Sequence, residues 1–303
     1  MARNQDLDLE LINRPKYSLS AENPVRLSLN CHKEKITARF DMHFEMELGI
    51  VVSGRMKRFY QNREVTLNQG DVWACGMWEP HGFSILKLPC KVIVFTVYPQ
   101  LILGTHFEEL KDFKPASFFA SPSDKKLRLK KEERIRTLEL AKRLERAHNC
   151  KGRERTALLR VCLYELLLLM YAARSAGKQN LDAADSGSIT LVTGAIQLVL
   201  DSKKLVTEEK AARKCGLGKN RFNALFKSAT GMSFYKFGLK YRLSNVAGRL
   251  LRTNDPLKAI AADWGFFDAS HLHRLFVQNY GCSPGGYKKL HSRQVLRVPA
   301  LPD

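Results

Sequence analysis

The last third of the chain carries the same punctuation twice, and few folds accommodate that pattern. Between residues 205 and 290, one copy runs Ala212-Arg-Lys-Cys-Gly216, then Phe222, Leu225-Phe226, Gly231 and Ser233. The other runs Ala261-Ala-Asp-Trp-Gly265, then Leu272, Leu275-Phe276, Gly281 and Ser283-Pro284. Phe222 to Leu272, Phe226 to Phe276 and Gly231 to Gly281 are each 50 residues apart, whereas Gly216 to Gly265 is 49. The second copy therefore has one extra residue just after its turn. An offset kept over several positions marks a duplicated unit.

Each unit reads as a helix, a glycine turn and a second helix. Ala212 and Ala261 are small enough for helices to cross closely, and Gly216 and Gly265 accept positive φ at no steric cost. Phe222 with Leu225-Phe226, and Leu272 with Leu275-Phe276, fall three to four apart on one buried face. Lys219, Asn220, Asn223, Ser270, His273 and Arg274 are left near the opposite face. That is the helix-turn-helix plan, whose second helix enters the major groove of DNA. The apolar-periodic stretch from Phe234 to Leu251 reads as the helix joining the halves.

At these residues the chain resembles the AraC/XylS family of bacterial transcription regulators. The most specific stretch is Ile260-Ala261, Gly265-Phe266, Ser270, Leu272, Arg274, Phe276, Gly281, Ser283-Pro284 and Tyr287, preceded by Arg242, Ala247 and Leu250-Leu251. The resemblance implies two helix-turn-helix units reading successive major grooves of double-stranded DNA. It makes Asn220 and Asn223 base-edge candidates in the first reading helix, and Ser270, His273 and Arg274 in the second. Arg suits guanine and Asn suits adenine. Lys219, Arg221, Lys227, Lys236 and Lys240 are phosphate-contact candidates, which set register but not sequence. Ala224 departs from the family pattern, where a long polar or basic residue is common.

Charge supports a polyanion partner. Residues 1–122 carry 15 basic and 14 acidic side chains, whereas residues 189–303 carry 19 and 7, and a basic excess confined to one region is an electrostatic footprint. The seven cysteines are scattered without a CxxC pair. That fits reduced thiols in a cytoplasm better than a disulfide scaffold or zinc cluster. The N-terminus has no apolar signal core. The apolar stretch from Ala157 to Ala173 contains Arg160 and Glu165, so it is expected to be a packed helix and no membrane partner is expected.

From Val25 to Tyr98 the texture is β. Short segments (Ile36–Phe40, Leu48–Val52, Met56–Tyr60, Glu64–Leu67, Asp71–Ala74, Val92–Val97) alternate with turn residues such as Ser53-Gly54, Asn68-Gln-Gly70 and Leu88-Pro89. A sandwich or small barrel follows. His43, Glu47, Gly54, Gly70-Asp71 and Pro80-His81 resemble the cupin sensor domain found in front of many family DNA-binding regions. Metal-binding cupins usually have two close histidines, and here Glu45 stands where the second would be. His43, Glu47 and His81 are therefore read as a partial ligand set lining an effector pocket, with no metal or other cofactor expected. Trp73 and Trp78 are added as pocket walls, since small-molecule sites are mainly apolar.

Residues 100–122 read as a connection, Lys125–His148 as a basic helix, and Arg153–Ala173 as an apolar helix. Its stripe, including Leu166 and Met170, is wide enough to need cover from its own domain or from a second subunit. Residues 175–188 are small and polar, which marks a linker.

The expected fold is α+β with two domains. A cupin-like β-barrel (jelly roll) followed by helices would occupy 1–174, for ligand sensing and dimerisation. A linker follows at 175–188, then an all-α domain at 189–303 with two helix-turn-helix units joined by a long helix. The function expected is a DNA-binding regulator, not an enzyme, with a small-molecule effector, a homodimeric state and RNA polymerase as a further partner. The alternatives are a metal-dependent cupin enzyme fused to a DNA anchor, and a DNA-repair protein using a reactive Cys.

Overall fold

The computed structural model describes residues 17, 19–36, 39–60, 63–119, 127, 129–150, 152, 154–176 and 183–295. Contacts divide the chain into two compact units, one holding the described residues up to Leu191 and Ser228–Gly231, the other Val192–Lys227 and the residues from Met232 on. The architecture is α+β in two domains, as expected.

In the first unit six strands pair antiparallel: β1 (Val25–His32), β2 (Arg39–Asp41), β3 (Met46–Tyr60), β4 (Arg63–Asn68), β5 (Val72–Cys75) and β6 (His81–Val97). The ladder runs β1-β6-β3-β4, with β2 on β6 and β5 on β3. Strand pairing among the described residues thus runs as an open path.

Two expected turns are not turns. Ser53-Gly54 lies inside the 15-residue β3, and Leu88-Pro89 inside the 17-residue β6. The register shifts between Val51 and Met56 instead. A bulge bends a strand without ending it, and it uses the same glycine chemistry as a turn. Gly54 has φ +82°, and a Cβ there would stand 2.6 Å from the Lys87 carbonyl oxygen.

Helices follow the sheet. Residues 100–122 hold a short helix, α1 (Pro99–Leu103), and a 3-10 turn at Pro115–Phe119. α2 (Lys131–Asn149) starts later than the expected Lys125, and residues 120–126 lie outside the described residues. It docks at the β4–β5 turn. Arg134 pairs with the buried Asp71 at 2.9 Å, and Thr137 donates to the Gly70 carbonyl at 2.8 Å.

α3 (Glu154–Ala176) packs on α2 and β1. Among the described residues, Glu154–Ser175 is the one helix long and apolar enough to cross a membrane. Its Leu159, Leu163, Leu166, Leu167 and Met170 are buried inside the protein, as in a core helix. Of the expected linker, 175–176 end α3, 177–182 lie outside the described residues, and 183–188 belong to α4 (Ala183–Leu200).

The second unit repeats itself bond for bond. α5 (Glu208–Lys214) ends at Gly216, φ +65°, and α8 (Leu257–Asp263) at Gly265, φ +64°. In both, the amide after the glycine reaches back to the small residue: Leu217 to Ala212 at 3.0 Å, Phe266 to Ala261 at 2.9 Å. This six-to-one bond satisfies a helix-end carbonyl and fixes the turn.

α6 (Lys219–Thr230) and α9 (Ala269–Tyr280) follow, and then Gly231 and Gly281 again take positive φ. α7 (Phe234–Arg252) and α10 (Pro284–Val295) start on serine caps, with Ser233 accepting from Lys236 N and Ser283 from Gly286 N. Phe226 meets Phe237 at 5.4 Å, and Phe276 meets Tyr287 at 5.5 Å, both edge-to-face. α7 is the joining helix expected. Its Arg242 donates to the Trp264 and Gly265 carbonyls (3.3 and 3.1 Å) and lies 4.6 Å over the Phe266 ring.

The two turns differ in crowding. A Cβ at Gly216 would meet nothing within 4 Å, while one at Gly265 would stand 3.1 Å from Lys204 Cα. Gly216→Ala should therefore cost only the left-handed penalty of an L-residue, about 1–2 kcal/mol. Gly265→Ala should cost more, because backbone must also shift. Thermal unfolding of both full-length variants, followed by helical circular dichroism, should show the larger loss for Gly265→Ala; equal losses would disprove the difference.

Candidate nucleic-acid interface and buried polar centre

α6 and α9 each bury one face, through Phe222, Phe226 and Ala229 in the first and Leu272 and Phe276 in the second. Their outer faces differ. On α9, Ser270 and Arg274 are exposed one turn apart and line a shallow open depression with Phe267, Asp268 and His271. Asp268 caps the helix by accepting from His271 N. His273 is exposed outside that group.

Phe267 was not singled out from the sequence, although the signal was there. Leu217 corresponds to Phe266 by the turn bond, and Gly218 to Asp268 by the 50-residue offset, so Phe267 is the extra residue of the second copy. It is 92% exposed, unusual for so large an apolar side chain.

On α6, Asn220, Arg221, Ala224 and Lys227 are exposed. The other two candidates are already engaged by α5. Lys219 pairs with Glu209 at 2.6 Å and Glu208 at 3.7 Å, and Asn223 Nδ2 donates to Glu208 at 3.0 Å. Asn223 Oδ1 is buried without a partner. Lys236 is exposed near the start of α7, and Lys240 is half-buried with an interaction of its own.

The N-terminal candidates converge on Glu47. Its Oε1 accepts from Arg58 Nη2 and from Trp73 Nε1, both at 2.8 Å. Gly49 makes room for this: a Cβ there would stand 2.0 Å from the Trp73 ring. Its Oε2 faces His81 Nε2 at 3.7 Å and His43 Nε2 at 3.9 Å. His43, Glu47 and His81 are all buried. Tyr17 lies edge-on to His43, ring centres 5.2 Å apart. Trp78 is joined differently: its backbone N–H donates to the His43 carbonyl at 2.7 Å and its ring packs on Phe44.

Burial pushes the Glu47 carboxyl up, but Arg58, His81 and His43 outweigh it and hold the pKa well below the usual carboxylate value. Burial pulls His43 down, while Glu47, Glu45 and Asp41 raise it above the ordinary imidazole value. Cys75, 3.0 Å from Arg58, is pushed up by burial despite that cation. A thiol held protonated is a poor nucleophile, which counts against the reactive-Cys alternative at this position.

The geometry defines a class: a β-sheet domain followed by a helical domain that presents two helix-turn-helix units. Residues 211–290 match the family described as "Helix-turn-helix domain".

Among curated relatives, the chain is 30% identical over 83 residues to the RCS-specific HTH-type transcriptional activator RclR of Escherichia coli strain K12. The match covers 27% of this chain and 29% of that relative. It is 25% identical over 93 residues to the multiple antibiotic resistance protein MarA of Salmonella typhimurium, covering 30% of this chain and 73% of MarA. Among solved structures, unsaturated fatty acid-bound wild-type ToxT from Vibrio cholerae strain SCE256 shares the fold, with a TM-score of 0.52 at 12% identity, over 90% of this chain and 97% of that one.

The acidic pair beside α6 predicts a measurable gain. The double change Glu208→Gln, Glu209→Gln should release Lys219 to a phosphate. DNA should then bind more tightly, with the salt slope steeper by about 0.9 for the added contact. Adding Lys219→Met should cancel the gain. A gain that survives Lys219→Met would mean that the glutamates act only through general charge.

Proposed function

We propose that this chain is a sequence-specific DNA-binding transcription regulator whose N-terminal part responds to a small-molecule effector. The observation that carries the reading is the bond-for-bond repetition of one turn, which sets α6 and α9 as two equivalent outward helices. Residues 189–303 supply DNA binding and 1–174 supply sensing and self-association, with 175–188 between them. The ToxT structure of the same fold is described as bound to an unsaturated fatty acid, which supports a ligand-responsive first domain. The reading places the protein in the cytoplasm, with RNA polymerase as the partner through which bound DNA is used.

Arg274 is the leading base reader. Its neighbour Phe276 points into the core, so the guanidinium fork projects outward, free for a guanine's two acceptors. Lys227, near the end of α6, fits a phosphate. Arg274→Ala should cost about 1–3 kcal/mol on the specific site and flatten preference at one base position. Lys227→Ala should weaken specific and random DNA alike and reduce the salt slope by about one unit. Titration against the operator, its single-base variants and random DNA decides. Equal loss by Arg274→Ala on all sequences would make it a phosphate clamp.

Self-association needs a surface, and Leu166 and Met170 cannot supply it because both are core. Leu158 and Val161 on α3 remain exposed, at 44% and 63%. The proposed dimer contact is this patch. Leu158→Glu with Val161→Glu should give a folded monomer by sedimentation; an unchanged dimer would put the contact elsewhere.

A further inference from the structure

Phe267 stands in the open, and the fold does not need it there. The duplication supplies an internal control. The first copy closes its turn with the Leu217 N–H donating to the Ala212 carbonyl at 3.0 Å, then enters α6 directly from Gly218. The second closes the same turn with the Phe266 N–H on Ala261 at 2.9 Å, then inserts Phe267 ahead of the α9 cap Asp268. Turn and helix form either way, so neither explains the ring. At 92% exposure it is not part of a core, and a large apolar side chain left in water calls for something that covers it.

The backbone that carries the ring is fixed on both sides. Phe266 is buried, with the Arg242 guanidinium 4.6 Å over its ring. Asp268 accepts from the His271 N–H at 2.6 Å, and the Phe267 N–H itself donates to His271 Nδ1 at 3.3 Å. A ring on a fixed stem loses little freedom when it is covered. The neighbours indicate what kind of surface does so. Phe267 shares a shallow depression with Asp268, Ser270, His271 and Arg274. Arg274 is the one side chain among them with a permanent positive charge, and the exposed carboxylate of Asp268 repels a phosphate from this corner. A base edge fits better. The N-terminal residues of a reading helix are the ones that meet base edges, and the apolar group that the major groove displays is the methyl on C5 of thymine.

We propose that Phe267 contacts a pyrimidine 5-methyl group in the major groove and sets the preference at a base pair close to the one Arg274 reads. This rests on the DNA-binding function proposed above and deepens it. Thymine carries that methyl itself, and 5-methylcytosine presents the same group at the same place in the groove. DNA binding should therefore respond to cytosine methylation at this position: a C·G pair disfavoured there becomes acceptable once it is methylated. The first copy offers no such contact, because Gly218 has no side chain.

The full-length protein is used to select its site from random double-stranded DNA. Affinity is then measured with each thymine of that site changed singly to uracil, to cytosine and to 5-methylcytosine. One position is expected at which uracil weakens binding about fourfold, the factor for losing one buried methyl-sized group. At that position 5-methylcytosine should bind more tightly than cytosine by a similar factor. Phe267→Ala should abolish both effects there and leave the preference set by Arg274 intact, while Phe267→Leu should keep part of the methyl effect. The ring is exposed, so both variants should fold, as circular dichroism will show, and Leu86→Ala, exposed on β6, should change nothing. Methyl effects that persist in Phe267→Ala, or that are absent from the wild type at every thymine, would overturn the proposal. So would unchanged DNA preference with loss of transcription by RNA polymerase in vitro, which would give Phe267 to a protein partner. A selected site without a methyl effect sinks this contact alone, whereas no selected site at all sinks the regulator reading and the contact with it.

Discussion

A carboxylate taken out of water organises the first domain. Burying Glu47 would be prohibitive alone, and removing one partner of such a pair typically costs about 3–5 kcal/mol. Arg58 is the answering charge, yet it lies 11 residues further along the same strand. An odd separation on a regular strand puts two side chains on opposite faces. The irregular register between Val51 and Met56 removes that conflict. Before it the odd positions Glu47, Gly49 and Val51 lie on the face of the Arg58 pair, with Met46, Leu48 and Ile50 buried on the other; after it the even positions Met56, Arg58 and Tyr60 lie on that face. Val51, Met56 and Tyr60 accordingly share one apolar cluster with Trp73 and Ile85. The bulge is thus the condition for the ion pair, and Gly54, at positive φ, is the residue that lets the strand make it.

In the second domain the corresponding constraint is the left-handed glycine. It sets the angle between α5 and α6, and again between α8 and α9, before any DNA is present. Arg242 then fixes the second turn from α7 by holding the carbonyls that end α8. Arg249, also on α7, pairs with Asp255 and Asp263 on either side of α8. α7 is therefore more than a spacer. α9 inherits its position from a helix that belongs to the core of the first helix-turn-helix through Phe234 and Phe237.

Local chemistry decides which of these features can be read from sequence. The duplicated unit was legible because its glycines, caps and aromatic pairs are each short-range and recur at one offset. The strands of the first domain were legible in texture but not in length, since Gly54 and Pro89 signal a bend whether or not the chain turns back. The wide apolar stripe on α3 was legible too, but not its disposition. A period gives a face, not what covers it, and Leu166 and Met170 are already buried in the protein, whose α3 packs on α2 and β1. Asn223 and Lys219 face outward by helical period. Only the fold shows that two glutamates from the preceding helix hold them.

That last point makes the two halves of the DNA-binding domain unequal. α6 offers a short Ala224 where a long side chain would reach a base, an Asn223 turned to Glu208, and a Lys219 neutralised by Glu209. α9 offers Arg274 and Ser270 together, with no ion pair on Arg274 among the described residues. Its extra residue, Phe267, adds apolar surface beside them, of a kind suited to a thymine methyl group. Affinity without sequence can come from either half, because phosphate contacts need only positive charge. Discrimination needs directed donors and shaped apolar contact, and of the candidates Arg274 and Ser270 are exposed on α9 while Asn220 is exposed on α6. Duplication supplied two helices in equivalent settings; the single inserted residue before α9 and the acidic pair on α5 are what make their outer faces unequal.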